Sequence, residues 1–474
     1  MVASKKDLGL MTLAQVNMMD VARTKELYAR HFNKGLSKML DMLGFADVRP
    51  VSAEGTRINL SDGTSILDFT SGIGVLNHGH NHPRILAARK MFAESGQMEV
   101  WKLFPSPYQA ALCYNLSRIF PQDLEVVFLC NSGAEANEGA LKMAEKFGGP
   151  KRDKIVFTDI SFHGKSHATL SVSGSEMHDN RHFKTLPGCI QVPYGDADTL
   201  AKAFADNRNI DGSSKVSAFI VESIRAEGIV SPPEGYFDKV RTLCDKYGVT
   251  LIVDEIWTGF GRTGKLFAFE HQNYVPDIVT FSKSFGGGKA TVAGYIARRG
   301  IFDKTYGSMG DATLHSTTFS GFGEEMVSAI EAINVIFDEE LVENSAKQGT
   351  YLLEKLNEIK NRHPGIVKDV RGKGLLTGIR LQNLTTKVVK TIPGMNFPTS
   401  TIEKITSGAI MSKLLEKHRV LTFTPPHDVS FLTIAPPLIV TREEIDEFIA
   451  ALDDVLSTNL IEAVTRFAKR AVKG

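Results

Sequence analysis

Short apolar runs alternate with helical patterns through the middle of the chain. The runs are rich in Val, Ile and Phe and lack strict polar alternation, which is typical of strands buried on both faces. Strands that alternate with helices in this way favour a mostly parallel sheet covered by helices. The clearest predicted strands are Val126–Cys130, Ile155–Thr158, Val216–Glu222, Thr250–Asp254, Ile278–Ser282 and Gly294–Arg298.

The two ends of the chain carry different patterns. Residues up to about 75 combine a helical opening with a hairpin-like stretch, Thr56–Phe69, around an Asp-Gly turn signal. Towards the other end, a long helical pattern over Asn344–Lys360 precedes strand-like runs at Gly374–Leu381 and Phe431–Ile434. A closing helix begins near Thr441.

These patterns predict an α/β protein with two domains. A large domain over residues 76–345 contains the mostly parallel sheet. A small α+β domain combines an N-terminal segment, residues 1–75, with residues 346–474. The chain has 474 residues, 42% of them hydrophobic, and is therefore long enough to bury two cores.

Charge and cysteine usage argue against several kinds of partner. The formal net charge is +1 and no basic stripe carries interleaved aromatics, so we expect no nucleic-acid binding. No stretch has the length and apolar character of a signal peptide or a membrane span, so we expect a cytoplasmic protein without a membrane partner. The cysteines stand far apart without a CxxC pair, which disfavours a zinc site or disulfide framework and fits a reducing compartment. They are Cys113, Cys130, Cys189 and Cys244.

Polar residues follow the carboxyl ends of several predicted strands, where open α/β sheets collect their ligands. Residues 131–134 (Asn-Ser-Gly-Ala) end the first strand and open a helix, and such a turn exposes backbone N–H groups to a phosphate. An ordinary capped turn would show the same residues. Asp254 ends the fourth strand, where a carboxylate can hold a protonated pyridine nitrogen or serve as a structural salt-bridge partner.

Lys283 follows the fifth strand directly and precedes three glycines. An apolar strand that delivers one lysine into a crevice partly desolvates the amine, which lowers its pKa towards nucleophilic use. Lys289 is the competing candidate, but it lies beyond the glycines on a predicted loop, so we favour Lys283. Phe162 follows the second strand and can stack on a flat ring, and the stretch His315–Phe319 offers hydroxyls to a phosphate.

Six motifs occur in order along the chain: NSGAEANE (131–138), FHG (162–164), DEIWTGFGRTG (254–264), SKSFGGG (282–288), HSTTFSG (315–321) and IAPPLIVT (434–441). This set resembles that of class III aminotransferases, the ornithine, acetylornithine, γ-aminobutyrate and ω-amino-acid group with the type I fold of pyridoxal-phosphate (PLP) enzymes. The resemblance covers about residues 57–450. It implies ping-pong transfer of an amino group from an amine or amino acid donor to an aldehyde, ketone or keto-acid acceptor.

The resemblance also implies a homodimer with shared active sites and roles for individual residues. Lys283 carries PLP as a Schiff base, Asp254 holds the pyridine nitrogen, and Thr318 reaches the phosphate of the neighbouring subunit. Glu227 is the second glutamate of the family's EPxQGE stretch. The other implied cofactor contacts are Ser132, Gly133 and Ala134 at the phosphate, Phe162 and Ile256 on the two faces of the ring, and Glu222, the first glutamate of that stretch.

Three positions depart from the family pattern and bear on the substrate. Trp257 stands where the family has a Gln that contacts the ring hydroxyl of PLP, and Trp offers one N–H donor on a bulky arm. Arg225 replaces the Gln of the EPxQGE stretch. Thr433 stands where relatives that act on glutamate or ornithine carry an Arg for a substrate carboxylate. We therefore expect weak binding of α-carboxylates and a preference for amines, aldehydes or ketones, unless Arg225 supplies the missing charge.

Other interpretations stay open at this point. An aminomutase or a decarboxylase of the same family would share the motifs, and a binding module would show no turnover. The literal GxGxxG at residues 259–264 is the fingerprint of an NAD-dependent oxidoreductase, but no helix pattern opens at it. His78, His80 and His82 resemble a metal cluster, yet no carboxylate or Cys sits at ligand spacing, so we expect no metal.

Overall fold

The structure, a computed structural model, describes residues 8–121, 123–174, 182–272, 274–382, 399–425, 428–460, 462–465 and 467. Its strands are β1 (Pro50–Glu54), β2 (Arg57–Leu60), β3 (Ser65–Asp68), β4 (Leu124–Cys130), β5 (Lys154–Thr158), β6 (Cys189–Val192), β7 (Val216–Glu222), β8 (Thr250–Asp254), β9 (Ile278–Phe281), β10 (Ala293–Arg298), β11 (Val367–Lys373), β12 (Leu376–Leu381), β13 (Val420–Leu421) and β14 (Phe431–Ile434). Its α-helices are α1 (Leu13–Asn17), α2 (Val21–His31), α3 (Lys34–Met42), α4 (Ser71–Gly74), α5 (Pro83–Glu94), α6 (Pro107–Ile119), α7 (Gly133–Gly148), α8 (His167–Ser171), α9 (Ala197–Asp206), α10 (Tyr236–Tyr247), α11 (Arg299–Tyr306), α12 (Gly323–Asp338), α13 (Leu341–Arg362), α14 (Thr399–His418) and α15 (Arg442–Ser457).

Seven strands form the central sheet, in the order β4-β10-β9-β8-β7-β5-β6. The strands from β5 to β9 pair in parallel, which confirms the predicted mostly parallel sheet. β10 is antiparallel to both of its neighbours. All six strands predicted for this region are present, with ends shifted by at most two residues. The sequence pattern does not predict β6, because its four residues are mostly half-buried or exposed.

Burial on both faces explains why the central strands lack polar alternation. All residues of β7 and β8 are buried. α7 packs over β7, β8, β9 and β10 with the apolar face that its spacing predicts. Because α7 follows β4 directly, its first turn lies at the edge of the sheet where the parallel strands end. The buried residues of that predicted face are Ala136, Ala140, Met143 and Ala144, with Phe147 partly buried beside them.

The N-terminal hairpin and the C-terminal part of the chain share one sheet. β2 and β3 pair antiparallel, as the Asp-Gly signal predicts, and β13 adds to β3 in parallel, with Val420 opposite Leu67. β11, β12 and β14 form a separate antiparallel sheet, and α13 packs on it. These contacts support our proposal of a small domain built from both ends. The predicted long and closing helices are confirmed as α13 and α15, and Thr441 opens α15 with a capping box.

Three helices, α1 to α3, precede the hairpin and bury no residue. Each begins at a side chain that accepts the N–H of the third helical residue, namely Thr12, Asp20 and Asn33. In the part of the chain that the structure describes, no helix combines the length and apolar character needed to cross a bilayer.

Candidate active site

The carboxyl ends of β7, β8 and β9 bring three predicted site residues together. β7 and β8 pair in register, so that Glu222 lies opposite Asp254. β9 ends at Phe281, and Lys283 follows with a left-handed backbone, φ +49°. Such a conformation is uncommon for a residue with a side chain and recurs at functional sites. The strand ends therefore meet at one edge of the sheet.

Asp254 is fixed by three hydrogen-bond partners and is only 4% exposed. The backbone N–H of Ile256 donates to Oδ1 at 2.9 Å, and Asn137 Nδ2 donates to Oδ2 at 2.8 Å. His163 Nδ1 lies 2.8 Å from the same Oδ2. A buried carboxylate needs such partners to offset its lost hydration, and together they hold the acid in one orientation at the strand tip.

Asn137 links three elements around that carboxylate. Its side chain also donates to the backbone oxygen of His163 at 2.8 Å and accepts from the Thr280 hydroxyl at 2.7 Å. Sequence reasoning does not identify Asn137 or His163 as site residues. The available signals are an amide on the otherwise apolar face of α7 and a histidine inside the FHG motif.

Lys283 lies in the same cluster. Its Nζ is 4.4 Å from the centre of a Trp257 ring, a distance typical of a cation–π contact. Burial lowers the pKa of Lys283 to about 8, and the negative charges of Asp254 and Glu222 partly oppose that shift. The lysine is therefore closer to its neutral, nucleophilic form near pH 7 than an exposed lysine would be.

The first turn of α7 is open to solvent. Ser132 is the N-cap: its hydroxyl accepts from the Glu135 N–H at 3.2 Å and donates to the Glu135 carboxylate at 3.0 Å. Ser132 is exposed, and Gly133 and Ala134 are partly exposed, which leaves this helix end accessible to an anion. A Cβ at Gly133 would come within 2.7 Å of the Ile256 side chain, so a larger residue there would displace Ile256.

Phe162 and Ile256 belong to the two segments whose residues bond the Asp254 carboxylate. Phe162 precedes His163, which contacts Asp254, and the Ile256 N–H is itself a donor to the acid. Both side chains are partly exposed. Each of the two segments that contact the acid therefore carries a partly exposed apolar side chain, of a kind that can pack on a flat ring.

The end of β7 and the residues after it place two carboxylates, Glu222 and Glu227, near the lysine and also carry Arg225. Glu222 Oε1 accepts from the Ala226 N–H at 3.2 Å, whereas its buried Oε2 has no hydrogen-bond partner among the described residues. Burial raises the pKa of Glu222 to about 7. Glu227 is 3% exposed. Arg225 is partly buried: its Nε donates to the Glu227 backbone oxygen at 3.0 Å, and its guanidinium lies 5.8 Å from the Tyr194 ring centre.

Trp257 connects the strand tips to the C-terminal part of the chain. Its ring centre lies 5.8 Å from that of Phe423, with the planes tilted by 31°. The backbone oxygen of Phe423 accepts from the N–H of Thr433 at 2.8 Å, and Thr433 is fully buried. One aromatic residue thus joins two of the positions that depart from the family pattern.

Thr318 stands apart from this cluster, on an exposed turn. The Thr317 hydroxyl donates to Asn131 Oδ1 at 3.4 Å, and Asn131 Nδ2 donates to the Phe319 backbone oxygen at 3.5 Å. The turn therefore lies against the residue that precedes the N-cap of α7. It approaches the predicted phosphate site from the surface of the molecule.

Arg262, in the FGRTG segment, is a fully buried residue that sequence reasoning does not single out. It donates to the backbone oxygens of Leu375 and Pro436, to the Ser71 hydroxyl at 3.0 Å and to the Asn77 amide oxygen. Burial lowers the pKa of Arg262 to about 9. These bonds tie the segment that carries Trp257 to both ends of the chain.

The structure accounts differently for two sequence signals that compete with this site, the second lysine and the GxGxxG segment. Lys289, the alternative lysine, donates to the side chain of Asn81. The glycines of residues 259–264 lie in turns, and the helical turn that follows, Ala268–His271, is a 3-10 turn of four residues. A dinucleotide fingerprint needs a strand that passes directly into a helix, so this segment does not fit one.

The three clustered histidines contact three different groups, and the rings of His78 and His82 are 6.4 Å apart. Their imidazoles are therefore used separately rather than turned to one shared ligand. Nε2 of His78 lies 2.9 Å from the Ala332 backbone oxygen, Nε2 of His80 2.9 Å from Asp68 Oδ2, and Nε2 of His82 3.1 Å from Glu339 Oε2.

Comparison with known proteins adds to this geometry. The sequence profile of the family described as Aminotransferase class-III matches residues 45–456. The chain is similar to a transaminase from the marine bacterium Virgibacillus, with 25% identity and a TM-score of 0.79 over 95% of this chain and 100% of that chain. It is similar to the ornithine aminotransferase of Toxoplasma gondii ME49, with 25% identity and a TM-score of 0.79 over 96% and 98%. It is also similar to an (S)-enantioselective omega-transaminase from Thermomicrobium roseum, with 26% identity and a TM-score of 0.78 over 94% and 98%.

The fold and these matches together define a PLP-dependent aminotransferase. The chain belongs to the class-III aminotransferase family, because the family match spans most of its length. Its cofactor is PLP, and its substrates are an amine donor and a carbonyl acceptor. Three features of the structure suit that cofactor, namely the lowered pKa of Lys283, the fixed carboxylate of Asp254 and the open N-terminus of α7.

Proposed function

We propose that Lys283 and Asp254 are the catalytic residues of this aminotransferase. PLP, when bound, supplies an electron sink for the carbon that carries the amino group. Asp254 presents its carboxylate from the tip of β8, held by Asn137, His163 and the Ile256 N–H. A fixed carboxylate at that point stabilises a protonated pyridine nitrogen.

We propose that Lys283 moves a proton at the reacting carbon. The observation that carries the proposal is the position of its Nζ at the tip of β9, next to the Asp254 network, with a pKa lowered to about 8. A base with a pKa near the working pH both accepts and releases a proton readily. The Trp257 ring, 4.4 Å from Nζ, restricts the path of the amine.

We assign the remaining cofactor contacts by position. The open first turn of α7 offers backbone N–H groups and a hydroxyl to the phosphate, and the two segments that contact Asp254 each carry a partly exposed apolar side chain. The proposed contacts are Ser132, Gly133 and Ala134 for the phosphate, Phe162 and Ile256 for the ring faces, and Glu222 beside the ring.

A half-reaction assay with single donors tests the assignment of Lys283. The PLP-loaded enzyme is mixed with one amine and no acceptor, and the visible absorbance of the lysine-bound cofactor is followed. We expect a donor to bleach the band and a carbonyl acceptor to restore it. Lys283→Ala should lack the band and nearly all turnover, whereas the matched control Lys289→Ala keeps both, with circular dichroism confirming that each variant folds. The opposite behaviour of the two variants contradicts the assignment, and release of carbon dioxide from the donor would indicate a decarboxylase.

We also propose that two copies of the chain form a dimer with shared active sites. Large apolar side chains near the Thr318 turn are exposed, with Leu103 at 90% and Phe319 at 59%. Lys102 donates to the Thr317 backbone oxygen, so the two loops lie together. Exposed apolar groups that cluster in this way are typical of a protein interface, and the partner implied by the family resemblance is a second copy.

Subunit mixing tests whether Thr318 serves the neighbouring site. Lys283→Ala and Thr318→Arg should each be inactive, but a hybrid dimer combines an intact Lys283 with an intact Thr318 at one of its sites. We therefore expect partial recovery of activity after subunit exchange. The control mixture pairs Lys283→Ala with the double variant Lys283→Ala/Thr318→Arg and should not recover. An active monomer in sedimentation velocity, or no recovery from the first mixture, contradicts the proposal.

A further inference from the structure

The short helix α4 is a left-handed turn. All of its residues, Ser71–Gly74, have positive φ values, and those of Ser71 and Ile73 are +43° and +61°. Left-handed backbone is unfavourable for residues with a side chain, and least expected at a β-branched residue such as isoleucine. Such conformations persist only where the surrounding structure fixes them, and they cluster at functional sites. Contacts around the turn must therefore hold it in this form.

A buried carboxylate and a buried guanidinium hold the start of the turn. Asp68, 1% exposed, accepts through Oδ1 from the Thr70 N–H at 2.8 Å, the Thr70 hydroxyl at 2.7 Å and the Ser71 N–H at 3.1 Å. Its Oδ2 lies 2.9 Å from Nε2 of His80. Arg262 donates to the Ser71 hydroxyl at 3.0 Å. The first residues of the turn are therefore fixed by two separate parts of the chain.

The end of the turn lies against Trp257. A Cβ on Gly74 would stand 2.5 Å from both Cδ1 and Nε1 of the indole, and φ at Gly74 is +80°. The centre of the Trp257 ring lies 4.4 Å from Lys283 Nζ. The indole also packs on an apolar cluster that includes Phe431, so it has little room to retreat. The space that the indole occupies beside the amine therefore exists because position 74 has no side chain.

The same segment also contacts the glycines that follow Lys283. A Cβ on Gly288 would stand 2.4 Å from Cδ2 of Leu76, two residues after the turn. The segment from Ser71 to Leu76 thus contacts residues that follow both β8 and β9, the strands that deliver Asp254 and Lys283. A shift of the turn would act on both strand ends.

We propose that Gly74 is a positioning residue of the reaction, which acts through Trp257. The left-handed turn brings a backbone without a side chain against the indole, and the indole thereby stays in contact with the amine of Lys283. Gly74 itself touches no reacting group. The kinetic consequence rests on the proposed role of Lys283, because the indole limits the positions that this amine can take. A displacement of about 1 Å at such a point can lower a rate by about 100-fold.

Gly74→Ala tests this contact, and Gly63→Ala is its matched control. The φ of Gly63, at the Asp-Gly turn between β2 and β3, is +82°, so alanine meets the same backbone penalty there. Among the described residues, no heavy atom other than those of its chain neighbours lies within 4 Å of a Cβ built at Gly63. The difference between the two variants therefore reports the contact with Trp257 rather than the loss of a glycine.

Half-reactions with isopropylamine and with alanine as single donors give the first readout. We expect Gly74→Ala to lower the maximal rate of bleaching by about tenfold to 100-fold, because the displaced indole disturbs the amine. The donor concentration at half-maximal rate should change little, and both donors should be affected alike, because the disturbance lies at the amine and not at the donor. Gly63→Ala should react as the unmodified enzyme does.

A second substitution tests whether the effect passes through the indole. Trp257→Ala removes the two ring atoms that a side chain at position 74 would meet. In that background Gly74→Ala should change the rate by less than about twofold, as expected of two changes that no longer interact.

Fluorescence gives a readout that does not depend on turnover. The chain has two tryptophans, so Trp101→Phe leaves Trp257 as the single indole. In this background, with PLP bound, Gly74→Ala should shift the emission maximum and change the quenching by acrylamide. Gly63→Ala should change neither.

The outcomes separate this proposal from the assignment of Lys283. If no donor bleaches the cofactor band of the unmodified enzyme, that assignment fails, whereas the fluorescence still decides whether Gly74 holds the indole. If Gly74→Ala reacts as fast as Gly63→Ala, or its slow reaction persists in Trp257→Ala, the positioning role is wrong while Lys283 stands. Should Gly74→Ala fail to fold by circular dichroism, Gly74→Ala/Trp257→Ala is expected to recover the fold, and a double variant that stays unfolded contradicts the proposal.

Discussion

Two groups of residues near Lys283 differ in how their buried polar atoms are satisfied. On what we call the anchored side, Asn137 and Asp254 each make three hydrogen bonds. On what we call the wall side, which comprises Trp257, Phe423 and Thr433, the indole nitrogen of Trp257 and the hydroxyl of Thr433 have no partner in the part of the chain that the structure describes. The Trp257 ring centre lies 4.4 Å from Lys283 Nζ, and the negative charge of Asp254 acts on the same amine.

Glu255 extends the anchored side behind Asp254. Its Oε1 accepts from the Ser223 hydroxyl and the Phe269 N–H, each at 2.9 Å. Its Oε2 accepts from the Thr258 hydroxyl at 2.5 Å and the Ala268 N–H at 3.0 Å. Four donors on one fully buried carboxylate hold the segment after β8 rigidly.

This difference suggests that the anchored side must stay fixed, whereas the wall side can vary. Precise positioning of the acid and the amine is what makes catalysis fast, and a fully bonded network supplies it. On the wall side, replacing Trp257 or Thr433 breaks no side-chain hydrogen bond among the described residues. We therefore expect substitutions on the anchored side to change rate and stability more than substitutions on the wall side.

The largest effect should come from Asp254→Asn. The amide cannot support a protonated pyridine nitrogen. Its NH2 group would face either the Ile256 N–H or both the Asn137 donor and the His163 ring. We expect kcat to fall by a factor on the order of 1,000 or more, comparable to the loss of one key electrostatic group, while PLP still binds. Stopped-flow half-reactions and cofactor absorbance measure both. Trp257→Phe on the wall side serves as the comparison, and an equal loss of rate there would erase the distinction between the two sides.

Glu255→Gln should give the next largest effect, on stability. The substituted NH2 group would face two of the four donors, so two buried groups would lose their acceptor. We expect the free energy of unfolding to fall by about 2–4 kcal/mol, as for buried hydrogen-bonding groups left unpaired. Urea unfolding at pH 8 measures the change. A loss below about 0.5 kcal/mol would show that the network adds little.

Glu222→Gln should act in the opposite direction, because one oxygen of Glu222 has no described partner. Burial raises the pKa of Glu222 from 4.5 to about 7, so between these values the folded state binds more protons than the unfolded state. Stability attributable to this residue is therefore present below pH 4.5 and lost as the pH rises to 7, by at most about 3 kcal/mol. Relative to the unmodified protein, Glu222→Gln should gain stability progressively over that window. A difference between the two proteins that does not vary with pH contradicts the prediction.

The sequence alone locates Asp254 and Lys283, but it does not identify the residues that hold Asp254 in place. Asp254 is the last residue of one buried apolar strand, and Lys283 lies two residues beyond the end of another, so local pattern is enough to locate them. The partners of Asp254 are different: Asn137 and His163 lie 117 and 91 positions away along the chain. Nothing in local periodicity states which distant side chain will meet a strand tip.

The same limit applies to the sheet and to the wall. The six central strands follow from their apolar runs, but the antiparallel direction of β10 does not, because periodicity carries no information on pairing direction. Trp257 and Thr433 stand out as departures from the family pattern. Their connection through Phe423 depends on how the C-terminal segment folds back on the strand tips, so it becomes visible only in three dimensions.

The smallest predicted effect is the sharpest test of the comparison, since it uses one substitution on each side. Thr280 and Thr433 are both fully buried strand residues. The Thr280 hydroxyl donates to Asn137 at 2.7 Å, whereas the Thr433 hydroxyl has no partner among the residues described. Valine has nearly the same shape as threonine, so each substitution mainly removes the hydroxyl.

Thr280→Val should therefore lower the free energy of unfolding by about 1–2 kcal/mol, because it leaves the Asn137 oxygen buried without a donor. Thr433→Val should leave stability unchanged or raise it by up to about 1 kcal/mol, because burying an unbonded hydroxyl is itself unfavourable. Parallel urea titrations with equal m-values make the two changes comparable. If Thr433→Val proves as destabilising as Thr280→Val, the hydroxyl at position 433 has a partner in solution and the wall side is anchored as well.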